Sequence, residues 1–280
     1  MKVYISADIE GITGIVSWSQ CGRPDGTCYD YAFARRMMTH DVNAAIRGCR
    51  AAGASEVVVK DSHGNSKNLL LDELEEGTEL VSGHGGGQDG MMAGIDDSFD
   101  AALLIGYHGM AGSLGGVMEH TITGGIHRLS INGLPCGEIG LSAGTAGIYG
   151  VPVVFASSDD VGCTEAVELV PGLKSCSVKS GLGRYMSRLL HPSQTGPAIE
   201  DGVRKALESL NRVAPHQWEE PTVVRIEFNR AEEADMCAKV LDVTRVDGYT
   251  VEAKRDSFKA AHKLIWALVN LSFQGIGSQS

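Results

Sequence analysis

Four short apolar runs in this chain each stop on polar residues with reactive chemistry. Lys2–Ala7 runs into Asp8, residues 56–60 into Asp61-Ser62-His63, residues 101–107 into His108, and residues 151–156 into Ser157-Ser158-Asp159-Asp160. Runs this short, rich in Val, Ile and Leu and apolar throughout, predict strands buried on both faces, as in parallel sheets. Helical spacing fills the intervals between them. Residues 31–49 carry Phe33, Met37, Val42, Ala45 and Ile46 at mixed helical spacing, and Gly53 ends the pattern. Residues 137–149 predict a second helix, rich in glycine and alanine, and residues 80–82 a short strand. Residues 121–131 alternate and close on Asn132-Gly133, which predicts a hairpin. The expected fold class is therefore α/β: three layers around a mostly parallel sheet, with the chemistry gathered at strand C-terminal ends.

The texture changes after Pro192. Helices over 195–210, 231–238 and 257–271 flank strands over 222–228 and 249–254, and the last helix turns Phe258, Ala261, Ile265, Leu268 and Val269 inward. The expected organisation is an α/β metal-binding catalytic domain over 1–190, a smaller α+β domain over 191–273 and a tail over 274–280.

Composition removes several classes. Thirty-six glycines follow no three-residue period and sit among apolar segments, so collagen-like and disordered chains are excluded. A formal charge of −11 argues against a phosphate backbone as partner, and no nucleic acid is expected. Asp8 and Glu10 break the first apolar run too early for a signal peptide, and no apolar span is long enough for a membrane. A cytoplasmic setting with no membrane partner follows. Seven cysteines, none in a Cys-x-x-Cys pair, predict reduced thiols rather than a zinc or redox motif.

Asp8 and Glu10 lie two residues apart, so an extended backbone turns both carboxylates to one side. A divalent cation between them relieves their repulsion. A solvated strand end capping the next helix is the other reading of that pair alone. His63, His108 and His120 stand at strand ends or loops, and Glu138, in Gly137-Glu138-Ile139-Gly140, stands at a helix start, where it also complements the helix dipole. Taken one at a time these are ordinary residues; together they form a donor set of His, Asp and Glu without Cys. Such a set suits a catalytic zinc, or a carboxylate-bridged zinc pair, and hence hydrolysis.

The segments Ser6-Ala7-Asp8-Ile9-Glu10-Gly11, Asp61-Ser62-His63, Gly106-Tyr107-His108, Met118-Glu119-His120 and Gly137-Glu138-Ile139-Gly140 resemble the zinc-dependent D-aminopeptidase family of bacterial dipeptide-transport operons. The resemblance is collinear from Lys2 to about Phe273. It implies two Zn2+ per subunit on Asp8, Glu10, His63, His108 and Glu138, with one carboxylate shared, and His120 as the catalytic histidine. It also implies release of N-terminal residues, preferentially of D configuration, from short peptides, and a homo-oligomer, a decameric ring in the type enzyme. The sequence leaves open whether His120 is a general base or an oxyanion stabiliser, and manganese or cobalt would suit the same donors.

Lys179 and Arg184 fall in a further stretch similar to the family, and Lys179 is a candidate for binding a peptide carboxylate, with a surface lysine as the plainer reading. His40 reads as a helix-surface residue, His84 as part of a Gly-rich loop, His127 as a hairpin residue at most near the site, and Asp159-Asp160 as a helix cap. No glycine cluster has the Lys and Ser/Thr of a phosphate loop. Two rivals remain: a dinuclear metallohydrolase acting on another amide or ester bond, and a non-catalytic peptide-binding accessory of a dipeptide transport system.

Overall fold

In the computed structural model, which describes residues 1–21, 30–84 and 89–277, the chain folds around two sheets. β1 (Lys2–Ala7) leads to α1 (Tyr31–Ala51), β2 (Glu56–Asp61), β3 (Glu79–Val81), β4 (Ala101–Ile105) and a hairpin of β5 (Ile126–Ile131) and β6 (Leu134–Pro135). α2 (Glu138–Ile148), β7 (Val153–Asp159), α3 (Asp160–Leu169), β8 (Lys174–Gly183) and β9 (Met186–Leu189) follow. The chain then runs through α4 (Pro192–Glu208), β10 (Thr222–Phe228), α5 (Ala231–Cys237), β11 (Thr244–Arg245), β12 (Thr250–Arg255) and α6 (Phe258–Gly277).

The first sheet has the order β3-β2-β1-β4-β7-β8-β9 and is parallel apart from β9. The fold is mixed α/β, as the strand pattern predicts. β1, β4 and β7 are buried almost without interruption, which matches their continuous apolar sequences. β1 is flanked by β2 on one side and β4 on the other, so the strand order reverses there, and a crevice opens beyond the C-terminal ends at such a point. Asp8, His63 and His108 follow those three strands directly.

The second sheet, β11-β12-β10-β5-β6, is antiparallel and has its own apolar core of residues such as Ile126, Ile131, Val224, Phe228, Ile265 and Leu268. The Asn132-Gly133 turn has positive φ at both residues (51° and 82°), the geometry a two-residue hairpin needs. This arrangement departs from a boundary near residue 190. β5 and β6 precede that point yet pair with the C-terminal strands, while α4 follows it yet places Ile199, Val203 and Leu207 in the first core. The helix over Phe258–Gly277 also takes in residues 274–277 of the expected tail, and 278–280 lie outside the described residues.

α2 lies between the two cores, with Ile139, Ala143 and Ala146 in one and Leu141 in the other. A helix buried all round needs small residues where backbones approach. A Cβ on Gly147 would stand 1.8 Å from the His216 carbonyl oxygen, so only glycine fits there. α2 thereby carries Glu138 into the interior at its first turn.

Candidate metal centre

Asp8 leaves the end of β1 with its N–H donating to the Ile105 carbonyl (2.8 Å), and the Gly11 N–H donates to the Gly106 carbonyl (2.8 Å). The 8–11 turn is thus sewn to the end of β4. A Cβ on Gly11 would fall 1.7 Å from the Tyr107 carbonyl oxygen, so glycine permits this close approach. The turn folds both carboxylates toward His63 from the loop after β2, His108 from the loop after β4, His120 from the following loop and Glu138 from α2. All of these side chains are buried or nearly so, His63 being the most open.

The mutual distances are short. His63 Nδ1 lies 3.3 Å from Asp8 Oδ1 and 3.0 Å from Glu10 Oε2. His108 Nε2 lies 3.5 Å from Asp8 Oδ2 and 3.4 Å from Glu138 Oε1. His120 Nε2 lies 3.6 Å from Glu138 Oε1 and 4.0 Å from Glu10 Oε1. Two groups, Asp8–Glu10–His108 and His108–His120–Glu138, each hold their donor atoms within 4.8 Å of one another. Ligands ~2.0–2.2 Å from a tetrahedral zinc are roughly 3.3–3.6 Å apart, so the spacing suits a metal.

Ring orientation supports the same reading. His108 Nδ1 faces the Gly109 carbonyl and His120 Nδ1 the Met118 carbonyl, each at 3.0 Å. With a proton on Nδ1, each ring presents Nε2 to the carboxylates as an acceptor, the usual way a ligating imidazole is fixed. Asp8 Oδ2, Glu10 Oε2 and His108 Nε2 are buried without a hydrogen-bond partner among the described residues. Orphaned buried polar atoms of this kind are costly, and a bound cation satisfies all three. The donor set therefore fits a divalent metal.

The charges are strongly coupled. Burial and the neighbouring Glu10 push the Asp8 carboxyl up to about 7. Burial also acts to raise Glu10, but His63 overrides it and holds that carboxyl well below its usual range. Burial opposes charge on His63 and His108, yet Glu10 beside the first and Glu138 beside the second raise both well above the ordinary imidazole value. His120 differs: burial and the neighbouring His108 lower it.

The surroundings hold the loops rather than adding ligands. Lys179, which the sequence offers as a carboxylate binder, is fully buried, and its Nζ donates to the backbone carbonyls of Glu10, Ile12 and Ile15. Its three ammonium hydrogens have those three acceptors, so it clamps the turn that carries Glu10 and is withdrawn from substrate. Nothing in the residue's sequence context separates a buried clamp from a surface lysine. Asp159 caps α3 through the Gly162 N–H (2.7 Å) and also accepts the Val117 N–H (2.6 Å). Glu165 accepts the Met110 N–H (2.8 Å), and burial pushes it up to about 7. His40 pairs with Asp41 (2.9 Å), and His127 faces Asn229 (3.2 Å) on the exposed hairpin.

A cavity of about 950 Å³ opens over the centre, and Asp8, Glu10, His63, His120 and Glu138 line it. Trp18, Ile122, Met91, Trp266 and Phe273 give it apolar walls, and Lys60, His84, Arg184 and Tyr185 also line it. Most of these wall residues come from the far end of the chain or from loops without periodicity, which left them unmarked in the sequence. Among the described residues no helix is long and apolar enough to cross a membrane, and the cysteines are free thiols.

A sequence profile of the D-aminopeptidase family matches residues 1–267. A D-aminopeptidase of Bacillus subtilis (strain 168) is 36% identical over 233 residues, 81% of either chain. The solved structure of a Zn-dependent D-aminopeptidase from Bacillus subtilis, described as a self-compartmentalizing protease, superposes with a TM-score of 0.93 at 31% identity, covering 98% of each chain.

Proposed function

The chain belongs to the D-aminopeptidase family, and from that premise we propose that it is a two-zinc aminopeptidase releasing the N-terminal residue, preferentially of D configuration, from short peptides. The observation that carries this reading is the meeting of His63, His108 and His120 with Asp8, Glu10 and Glu138 beneath one cavity, which all but His108 line, with three ligand atoms left orphaned. Asp8, Glu10, His63, His108 and Glu138 hold the zinc pair. When bound, zinc lowers the pKa of water and polarises the scissile carbonyl.

The chain's own groups divide the remaining work. The free amine of the peptide lies against the metal centre, which fixes which end is cleaved. His120 reaches the cavity with Nε2, and burial beside His108 keeps that nitrogen unprotonated near neutral pH. It accepts a proton from the attacking water and returns it to the departing amine. Trp18, packed edge-on to His120 at 5.1 Å between centroids, holds the ring in place. The apolar walls shelter the reacting carbonyl from bulk water.

The proposal extends to a cytoplasmic homo-oligomer, in keeping with the self-compartmentalizing relative. Leu182, Tyr185, Met186 and Leu189 on the β8–β9 hairpin are exposed apolar residues that such an assembly would cover. The test is a side-by-side assay of D-Ala-D-Ala, L-Ala-L-Ala and p-nitrophenyl phosphate with zinc and with chelator. Zinc-dependent cleavage of the D-dipeptide above the others is expected. Preferred cleavage of the phosphoester points instead to a metallohydrolase of another bond, and zinc-dependent binding without cleavage to a peptide-binding accessory.

A further inference from the structure

The cavity continues beyond the metal centre toward the end of β2, where Lys60 lines it together with Val81, Met91, Trp266 and Phe273. Lys60 stands opposite Ser6 of β1 in the parallel register and is only 4% exposed. Its ammonium carries three hydrogens, and the acceptor it has among the described residues is the Gly83 carbonyl, at 3.2 Å. No carboxylate among the described residues lies within ion-pair distance of it. Its sequence neighbour Asp61 is on the other face of the strand, where both oxygens accept hydrogen bonds from Asn68 and Leu69. Burial lowers the Lys60 pKa and Asp61 only partly opposes that, as expected of a cation taken out of water without a counter-ion.

A buried ammonium aimed into a cavity with no anion beside it is costly unless a ligand supplies the anion. The cavity's other permanent cation, Arg184, is already paired with Glu119 at 2.7 Å and sits on the open rim with its side chain 44% exposed. The lining around it mixes apolar Val81, Met91, Trp266 and Phe273 with Ser62, Ser66 and Ser82 and holds no carboxylate among the described residues.

We propose that Lys60 binds the C-terminal carboxylate of a short peptide substrate in the cavity that opens over the metal centre. This rests on the aminopeptidase reading, which places the peptide's amino end at the metal centre. An amidated peptide lacks the charge that Lys60 requires. The signal was present in the sequence as a lysine ending an apolar strand, but burial and the absence of a partner are visible only in three dimensions.

The test compares zinc-loaded wild type and Lys60→Met on D-Ala-D-Ala, on its C-terminal amide, and on D-Ala-D-Asp amide, which carries a carboxylate only on its side chain. Wild type should prefer the free acid over the simple amide by ~10–100-fold in kcat/KM, the usual worth of one buried charge-assisted hydrogen bond. In Lys60→Met the acid-to-amide ratio should collapse toward one. If Lys60 only pins the Gly83 loop, both substrates change together and the ratio survives, which overturns the proposal; so does equal cleavage of acid and amide by wild type. Preference for D-Ala-D-Asp amide over D-Ala-D-Ala also overturns it, in favour of an acidic side chain as the anion. Should Lys60→Met not fold, as judged by its melting curve, Lys60→Gln takes its place and the wild-type ratio still decides. Failure of zinc-loaded wild type to cleave any of the three removes the aminopeptidase reading itself.

Discussion

The imidazoles of His108 and His120 stack 4.1 Å apart with their planes 13° from parallel, and both turn Nε2 toward the same oxygen of Glu138. Two parallel imidazoles that share a carboxylate oxygen, each with Nδ1 held by a backbone carbonyl, are prepared for roles that differ only in what Nε2 meets. His108 also reaches Asp8, and so belongs to both donor groups.

Glu138 is the carboxylate on which both rings converge, and Glu138→Gln keeps its shape while removing its charge. The zinc content of the purified variant, measured by atomic absorption, should fall below that of the wild type. Hydrolysis of D-Ala-D-Ala should drop by at least ~10²-fold, because the centre loses a charged ligand. An undiminished zinc content would remove Glu138 from the ligand set.

His120→Ala separates ligand from acid–base catalyst. With His120 as the proton carrier, the variant keeps its zinc and its melting temperature, and kcat falls by ~10²–10⁴-fold. Loss of one zinc per chain would make His120 a ligand instead. Full activity would remove it from the mechanism.

Lys179→Met tests the clamp on the metal-binding turn. The carbonyls of Glu10, Ile12 and Ile15 lose the Lys179 donor; that of Ile12 keeps the Ile15 N–H (3.3 Å), and each of the other two becomes an unsatisfied buried acceptor at ~1–3 kcal/mol. Denaturant unfolding should show a loss of roughly 2–4 kcal/mol, reduced from the simple sum by local relaxation. A change within about 0.5 kcal/mol would mean that the turn holds itself.

Glu165 gives a pH signature in the metal-free protein. Its folded pKa, about 7, lies above its ordinary value of 4.5, so folding favours the protonated form. The stability this carboxyl contributes is complete below its unfolded pKa and is lost as pH rises through about 7. Relative to Glu165→Gln, which cannot ionise, the wild type should lose on the order of 2–3 kcal/mol between pH 5 and pH 8. Parallel pH–stability curves for the two proteins would contradict this.

Metal binding should displace protons. In the metal-free centre Asp8 is pushed up to about 7, and His63 and His108 are raised well above the ordinary imidazole value, so these groups hold protons at pH 6.5. Zinc ligation needs them deprotonated. Calorimetric titration with zinc in buffers of different ionisation enthalpy should report release of more than about one proton per chain at that pH. Zinc uptake without proton release would mean that the centre is already deprotonated.

The parallel sheet was legible because β1, β2, β4 and β7 are uninterrupted apolar runs that stop on polar residues. The donor set was legible because those stops are where such a sheet gathers its chemistry. β8 and β9 gave no such signal: they lie at the sheet edge, and Lys174–Gly183 mixes polar, glycine and exposed positions. The hairpin at Asn132-Gly133 could be read locally, but its pairing with β10 joins Ile131 to Val224, a contact no local pattern encodes. For the same reason the expected boundary near 190 separated β5 from its sheet and α4 from its core. Lys60 and Lys179 show the limit most clearly. Each is a lysine in a strand, and only the fold decides that one meets three carbonyls while the other faces a cavity.

Bound metal is the centre's most direct requirement. Protein stripped by chelation should have no peptidase activity, and titration with zinc should restore D-Ala-D-Ala hydrolysis along a curve that saturates at two equivalents per chain. Full hydrolysis by verified metal-free protein would contradict it.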